Sequence, residues 1–87
     1  MIKGTLSNGF EFQIDENNLD DMRFIEALEE LDEGNPLAMT KVYNIVLGKG
    51  QKEELYKFIE KEHKKVPIKV MYDLFQELMT KSKDLKN

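Results

Sequence analysis

The sequence predicts an α+β domain, with an N-terminal β-hairpin packed on about four α-helices and most of the chain helical. Three observations predict it. Apolar and polar residues alternate up to Ile14, the apolar spacing then changes to helical steps, and turn or cap residues divide the remainder into segments.

Ile2, Gly4 and Leu6, then Phe10, Phe12 and Ile14, alternate with polar positions on either side of Asn8-Gly9. That dipeptide best tolerates positive φ at both turn positions, so a hairpin is predicted over about 2–14. A two-stranded ribbon is marginal alone in water, and the face carrying Phe10, Phe12 and Ile14 must therefore lie on helices.

After Asp15-Glu16-Asn17-Asn18, residues Leu19, Met22, Ile25, Leu28 and Leu31 recur at three-residue steps, with Phe24 widening the stripe and acids filling the other face. This spacing predicts a first helix over about 19–33. Asn18 is its expected N-cap, Asp20 and Asp21 complement the positive end of its dipole, and Gly34 closes it in the left-handed conformation. Asn35-Pro36 restarts the chain. Leu37, Val42, Ile45 and Val46 predict a short, largely buried second helix over about 36–47, ended by Gly48.

From Gln51, the spacing of Leu55, Phe58 and Ile59 marks a third helix over about 51–65, with a narrow apolar stripe and a charged outer face. Val66-Pro67 interrupts it. Met71, Leu74, Phe75, Leu78 and Met79 form the stripe of a fourth helix over about 67–81, followed by a polar tail expected to fray.

The chain has 87 residues, enough for one domain with one modest core. Its net charge of −4 opposes general coating of nucleic acid. The absence of cysteine excludes a disulfide framework and a thiolate zinc site and suits a reducing compartment. The alternating N-terminus is unlike a signal peptide, and no apolar run approaches the length of a membrane span. Charge is unevenly spread. Residues 1–40 carry ten acids against Lys3 and Arg23, a net −8, whereas residues 41–87 carry eleven lysines against seven acids, a net +4. Such polarity either steers head-to-tail association of copies or is absorbed by pairing within the domain, and the weakness of exposed ion pairs favours the second.

Nothing in the spacing points to catalysis, so no enzyme activity, cofactor or metal is expected. His63 is the only histidine, and one Glu60-x-x-His63 pair lacks the second pair and the inward carboxylates of a di-metal bundle. The acidic run from Asp15 to Asp21 lacks the glycine and alternating ligands of a calcium loop. Gly48-Lys49-Gly50 lacks the preceding strand and the Lys-Ser/Thr ending of a phosphate loop, and reads as a helix break. Lys61, Lys64, Lys65 and Lys69 cluster where a helix-turn-helix protein would contact phosphate, but Asp73 and Glu77 on the following helix would repel DNA.

Four helical stripes and a hairpin offer more apolar surface than one small core hides, so part of it is expected to face a partner. Met22, Met39, Met71 and Met79 have the flexibility that suits adaptable contacts, but core filling is the favoured reading of each taken singly. The last helix is the expected partner face, through Met71, Phe75, Leu78 and Met79.

The succession Lys3-Gly4-x-Leu6-x-Asn8-Gly9-Phe10-x-Phe12-x-Ile14-Asp15, then Leu19-Asp20-Asp21, Glu26-Ala27-Leu28, Pro36-Leu37, Leu47-Gly48 and Val66-Pro67-Ile68 resembles the short tail assembly chaperones of siphophages and prophages of Gram-positive bacteria. The resemblance covers nearly the whole chain. It implies a non-enzymatic protein that binds the long helical tape measure protein in the host cytoplasm and keeps it soluble while tail tube subunits assemble. It implies also a longer frameshifted partner that recruits tail tube protein, and absence from the mature virion. Copies bound along one client would gain from neighbour contacts, with orientation supplied by the opposed charge of the two halves, so self-association on that client is expected. Nucleic acid and membrane are not expected partners. A small DNA-binding regulator and a structural head or tail completion protein are the alternatives. At His63-Lys64-Lys65 the chain departs from similar proteins, which often carry an acidic, glycine-containing turn there, and the angle between the third and fourth helices is left open.

Overall fold

The alternating N-terminus forms the predicted hairpin in the computed structural model, which describes the backbone of residues 1–86 and the side chains of residues 1–82. β1 (Ile2–Thr5) pairs antiparallel with β2 (Glu11–Ile14), Ile2 opposite Ile14 and Thr5 opposite Glu11. The turn differs from the two-residue form expected. Ser7, Asn8 and Gly9 make a three-residue loop, closed by the Leu6 N–H donating to the Phe10 carbonyl at 2.8 Å and the Gly9 N–H donating to the Leu6 carbonyl at 2.9 Å. Of these loop residues only Gly9 takes a positive φ, +94°. Asn8 contributes through its side chain instead, its Oδ1 accepting from the Phe10 N–H at 3.0 Å.

A short 3-10 turn at Glu16–Asn18, capped by Asp15, precedes the first helix. α1 (Met22–Asp32) therefore starts later than predicted, and its N-cap is Asp21, which accepts from the Arg23 N–H at 2.9 Å, not Asn18. The buried side of α1 carries Phe24, Ala27 and Leu31, whereas Met22 and Ile25 are 68% and 48% exposed. The reason is geometric. Each three-residue step falls about 60° short of a full turn, so a series from Leu19 to Leu31 winds around much of the helix and cannot share one face. Gly34, at φ +91°, follows the helix as expected.

α2 (Ala38–Val46) buries Ala38, Met39, Val42, Tyr43 and Val46. Leu37, expected to join them, lies before the helix and is 78% exposed, while the Asn35 Oδ1 accepts its N–H at 3.1 Å. α3 (Gly48–His63) begins after a break of one residue, Leu47, made possible by Gly48 at φ +81°. Gly48-Lys49-Gly50 is thus the first turn of α3. The helix ends at Lys64, which takes the left-handed φ of +63°, and α4 (Ile68–Lys86) then runs further than predicted, its backbone helical through the stretch expected to fray.

The core lies between the inner face of the hairpin and the helices. Ile2, Leu6, Phe10, Phe12 and Ile14 are buried with residues from all four helices, among them Val42, Leu55, Leu74 and Leu78. The Phe10 and Phe58 rings meet edge to face at 5.7 Å, and those of Tyr43 and Phe75 at 5.8 Å. Two polar ties complete the packing. Glu77 accepts from the N–H and hydroxyl of Ser7 at 2.8 and 2.6 Å, fixing the hairpin loop to α4. The Gln51 carboxamide accepts from the Gln13 N–H at 2.7 Å and donates to the Gln13 carbonyl at 2.8 Å, joining the start of α3 to the outer edge of β2.

Tyr43 is fully buried and its hydroxyl donates to the Met71 carbonyl at 2.6 Å. Burial, with smaller contributions from Tyr56 and Glu77, pushes its pKa well above the usual phenol value. Tyr43→Phe is therefore expected to cost about 1 kcal/mol at neutral pH through the lost hydrogen bond. Above pH ~10 the unfolded chain releases this proton and the folded chain keeps it, so wild-type stability falls with pH. Denaturant titrations at several pH values should show the wild-type advantage over Tyr43→Phe narrowing above that pH.

Candidate functional site

The four residues expected to meet a partner are not a free surface. Met71, Phe75 and Leu78 are 4%, 7% and 0% exposed, and only Met79 is half-buried. Their stripe is wide because α4 is covered by β1 and α2, so a partner reaching it would have to lift the helix off the core. Of the other methionines considered for adaptable contact, Met39 is also buried and Met22 is exposed. Among the described residues, the large apolar side chains that do face solvent are Met1, Met22, Ile25, Leu37 and Ile68.

A groove of about 360 Å³ runs between α1 and α2. Ala27 and Ile45 give it an apolar floor, Arg23, Glu26, Glu30 and Lys41 rim it, and Asn44 lines it. The Lys41 ammonium and the Glu30 carboxylate pair across it at 3.3 Å. The Asn44 Oδ1 is buried without a hydrogen-bond partner among the described residues, a polar atom left to be satisfied at the groove wall. The small side chain of Ala27 is what lets the groove form. Ala27 and Asn44 carry no sequence signal for this role, because alanine and asparagine at helical positions are ordinary. Two further hollows are more polar. One of about 770 Å³ follows the hairpin beside Gly50, Gln51 and Glu54, and one of about 190 Å³ lies between the hairpin turn and the α3–α4 corner.

The chemical candidates remain scattered. Glu60 and His63 are both exposed on α3, and His63 is nearest Glu62, at 4.0 Å. Among the described residues no group of three His, Asp or Glu side chains is placed to hold a metal ion, and no helix is long and apolar enough to cross a membrane. Lys52 is 7% exposed, with its ammonium 5.6 Å from the Tyr56 ring. Lys61, Lys64, Lys65 and Lys69 are exposed around the α3–α4 corner.

Among the described residues the uneven charge is hardly absorbed by pairing within the fold. Among the described side chains, the Glu30–Lys41 pair is the one ion pair joining the acidic residues 1–40 to the lysine-rich remainder; the other pairs are Glu16 with the N-terminus, Asp21 with Arg23, and Glu62 with His63. Intramolecular pairing between the two halves, the expected fate of this polarity, is thus limited to that one pair among the described residues. Comparison with family models, curated proteins and solved structures finds no match.

Proposed function

We propose that the chain is a non-enzymatic chaperone of phage tail assembly that holds a helix of the tape measure protein in the α1–α2 groove. The observation that carries this reading is the groove itself, an apolar floor of Ala27 and Ile45 between charged rims, crossed by the exposed Glu30–Lys41 pair that a client helix would part on entering. An amphipathic helix binds such a groove through its apolar face while the rims keep the complex hydrated. The order of motifs along the chain, similar to the short tail assembly chaperones, supplies the identity of the client. The protein would act in the host cytoplasm during assembly and leave before the virion is complete. A longer frameshifted form would bring tail tube protein to the same client.

Co-expression with the tape measure protein tests this. Wild type is expected to move the client into the soluble fraction. The double variant Glu26→Lys, Ile45→Ala, checked for folding by its thermal melt, is expected to weaken binding by about 2 kcal/mol and return most client to the pellet. A client that stays insoluble with wild type overturns the chaperone reading, and equal rescue by the variant moves the client off this groove.

A further inference from the structure

We infer that the exposed acidic end of α1 docks onto the lysine-rich start of α4 in a second copy of this chain, giving head-to-tail association. The two surfaces are complementary in charge and each carries an exposed aliphatic side chain. On α1, Met22, Ile25, Glu29 and Asp32 are spaced to share one stripe, all exposed and pointing away from the groove. At the α3–α4 corner, Lys65 and Lys69 flank Ile68, which is 65% exposed. Within one copy none of these acids or lysines forms an ion pair within 4 Å among the described side chains.

A second observation makes the arrangement purposeful. Helix ends favour acids at the N-terminus and bases at the C-terminus. Both helices invert this: the last turn of α1 holds no base and carries Glu29, Glu30 and Asp32, while the first turn of α4 holds no acid and carries Lys69. Each helix thus adds its own dipole to the side-chain charge at the wrong end for its stability. Charge set against the monomer's interest at two sites of opposite sign is relieved when the two ends meet. The corner is reachable, since its covered side faces the hairpin turn through Ser7 and Asn8 and its lysines face solvent. Because the contact joins two different surfaces, repetition gives a ring or an open chain of copies. This association is independent of the client in the groove.

Sedimentation velocity on the full chain over a concentration series tests it. At about 25 mM salt the average mass should rise with concentration, and at about 500 mM salt it should return to the monomer. Glu29→Lys with Asp32→Lys, and separately Lys65→Glu with Lys69→Glu, should each abolish association. The α1 reversal should also raise the melting temperature, because it restores the charge that helix end prefers, whereas in the other variant the gain from Lys69→Glu in the first turn of α4 is offset by Lys65→Glu just past the C-terminus of α3. Mixing the two variants in equal amounts should restore association, since reversed ends then meet each other and native ends meet native ends. A chain that is monomeric at every concentration in low salt overturns the inference. So does association that survives either reversal, or a mixture that stays monomeric. Salt-sensitive binding of a duplex oligonucleotide by the lysine corner of a chain that stays monomeric would assign that surface to nucleic acid instead.

Discussion

Leu78→Asp is expected to leave the chain unfolded at room temperature, and Leu78→Ala to lower its stability by about 2–5 kcal/mol. The leucine is 0% exposed on the inward face of α4, in the same core cluster as Leu74, Phe75 and the hairpin residues. Truncation removes apolar burial and leaves a cavity that a helix fixed to the hairpin loop by Glu77 cannot easily close. An aspartate there adds a buried, unpaired charge to that loss. A domain of this size has a total stability on the order of 5–15 kcal/mol, so either effect is a large share of it. Urea unfolding followed by circular dichroism gives the measurement, with an unchanged slope marking a pure stability change. Met79→Asp, one position further along but half-buried, is the comparison and should cost far less. If Leu78→Ala cost under about 0.5 kcal/mol, α4 would be only loosely attached and its apolar face would again be a contact surface.

Gly4→Ala is expected to cost about 1–3 kcal/mol, against the usual direction of this substitution in a strand. A Cβ built on Gly4 would stand 2.7 and 2.9 Å from the Phe12 ring, which crosses the glycine from the opposite strand. That ring is 2% exposed and enclosed by the core, so it has no free space to retreat into. Elsewhere in a strand, alanine would be the better residue by roughly 0.5–1 kcal/mol, because it restricts the unfolded chain. The sign of the effect therefore reports the close approach. Phe12→Leu should remove the clash, and a double-mutant cycle should show Gly4→Ala costing less in the Phe12→Leu background than in wild type. Equal costs in both backgrounds would place the strain somewhere other than under the ring.

The hairpin was legible in the sequence because a strand has two faces: once Phe10, Phe12 and Ile14 share one, the register has no other buried solution. The helices were legible in number and order from their punctuation, Gly34, Asn35-Pro36, Gly48 and Val66-Pro67. Their facing was less so. On α1 a run of three-residue steps hid the buried set Phe24, Ala27 and Leu31, because apolar residues stood on both sides of the helix and periodicity could not choose between them. On α4 the spacing predicts the stripe of Met71, Phe75 and Leu78 that the structure buries, but a stripe does not say whether the chain itself or another molecule covers it. The groove escaped altogether, since it depends on the small size of Ala27 and on where α2 happens to pack. Whether acids and lysines pair is likewise a matter of tertiary distance, which composition does not encode. At Lys64 the sequence offers no glycine, yet the backbone takes the left-handed turn regardless. The demand of closing α3 before Pro67 outweighs the preference of the residue.

The carboxamide of Gln51 does for the hairpin what a third strand would otherwise do. By meeting both main-chain groups of Gln13 it occupies the rim where stray extended polypeptide would zip on. A sheet of two strands is all edge, and one blocked position interrupts the row of free groups along its open side. A concentrated solution of the chain then carries less risk of fusing through its sheet into fibrils.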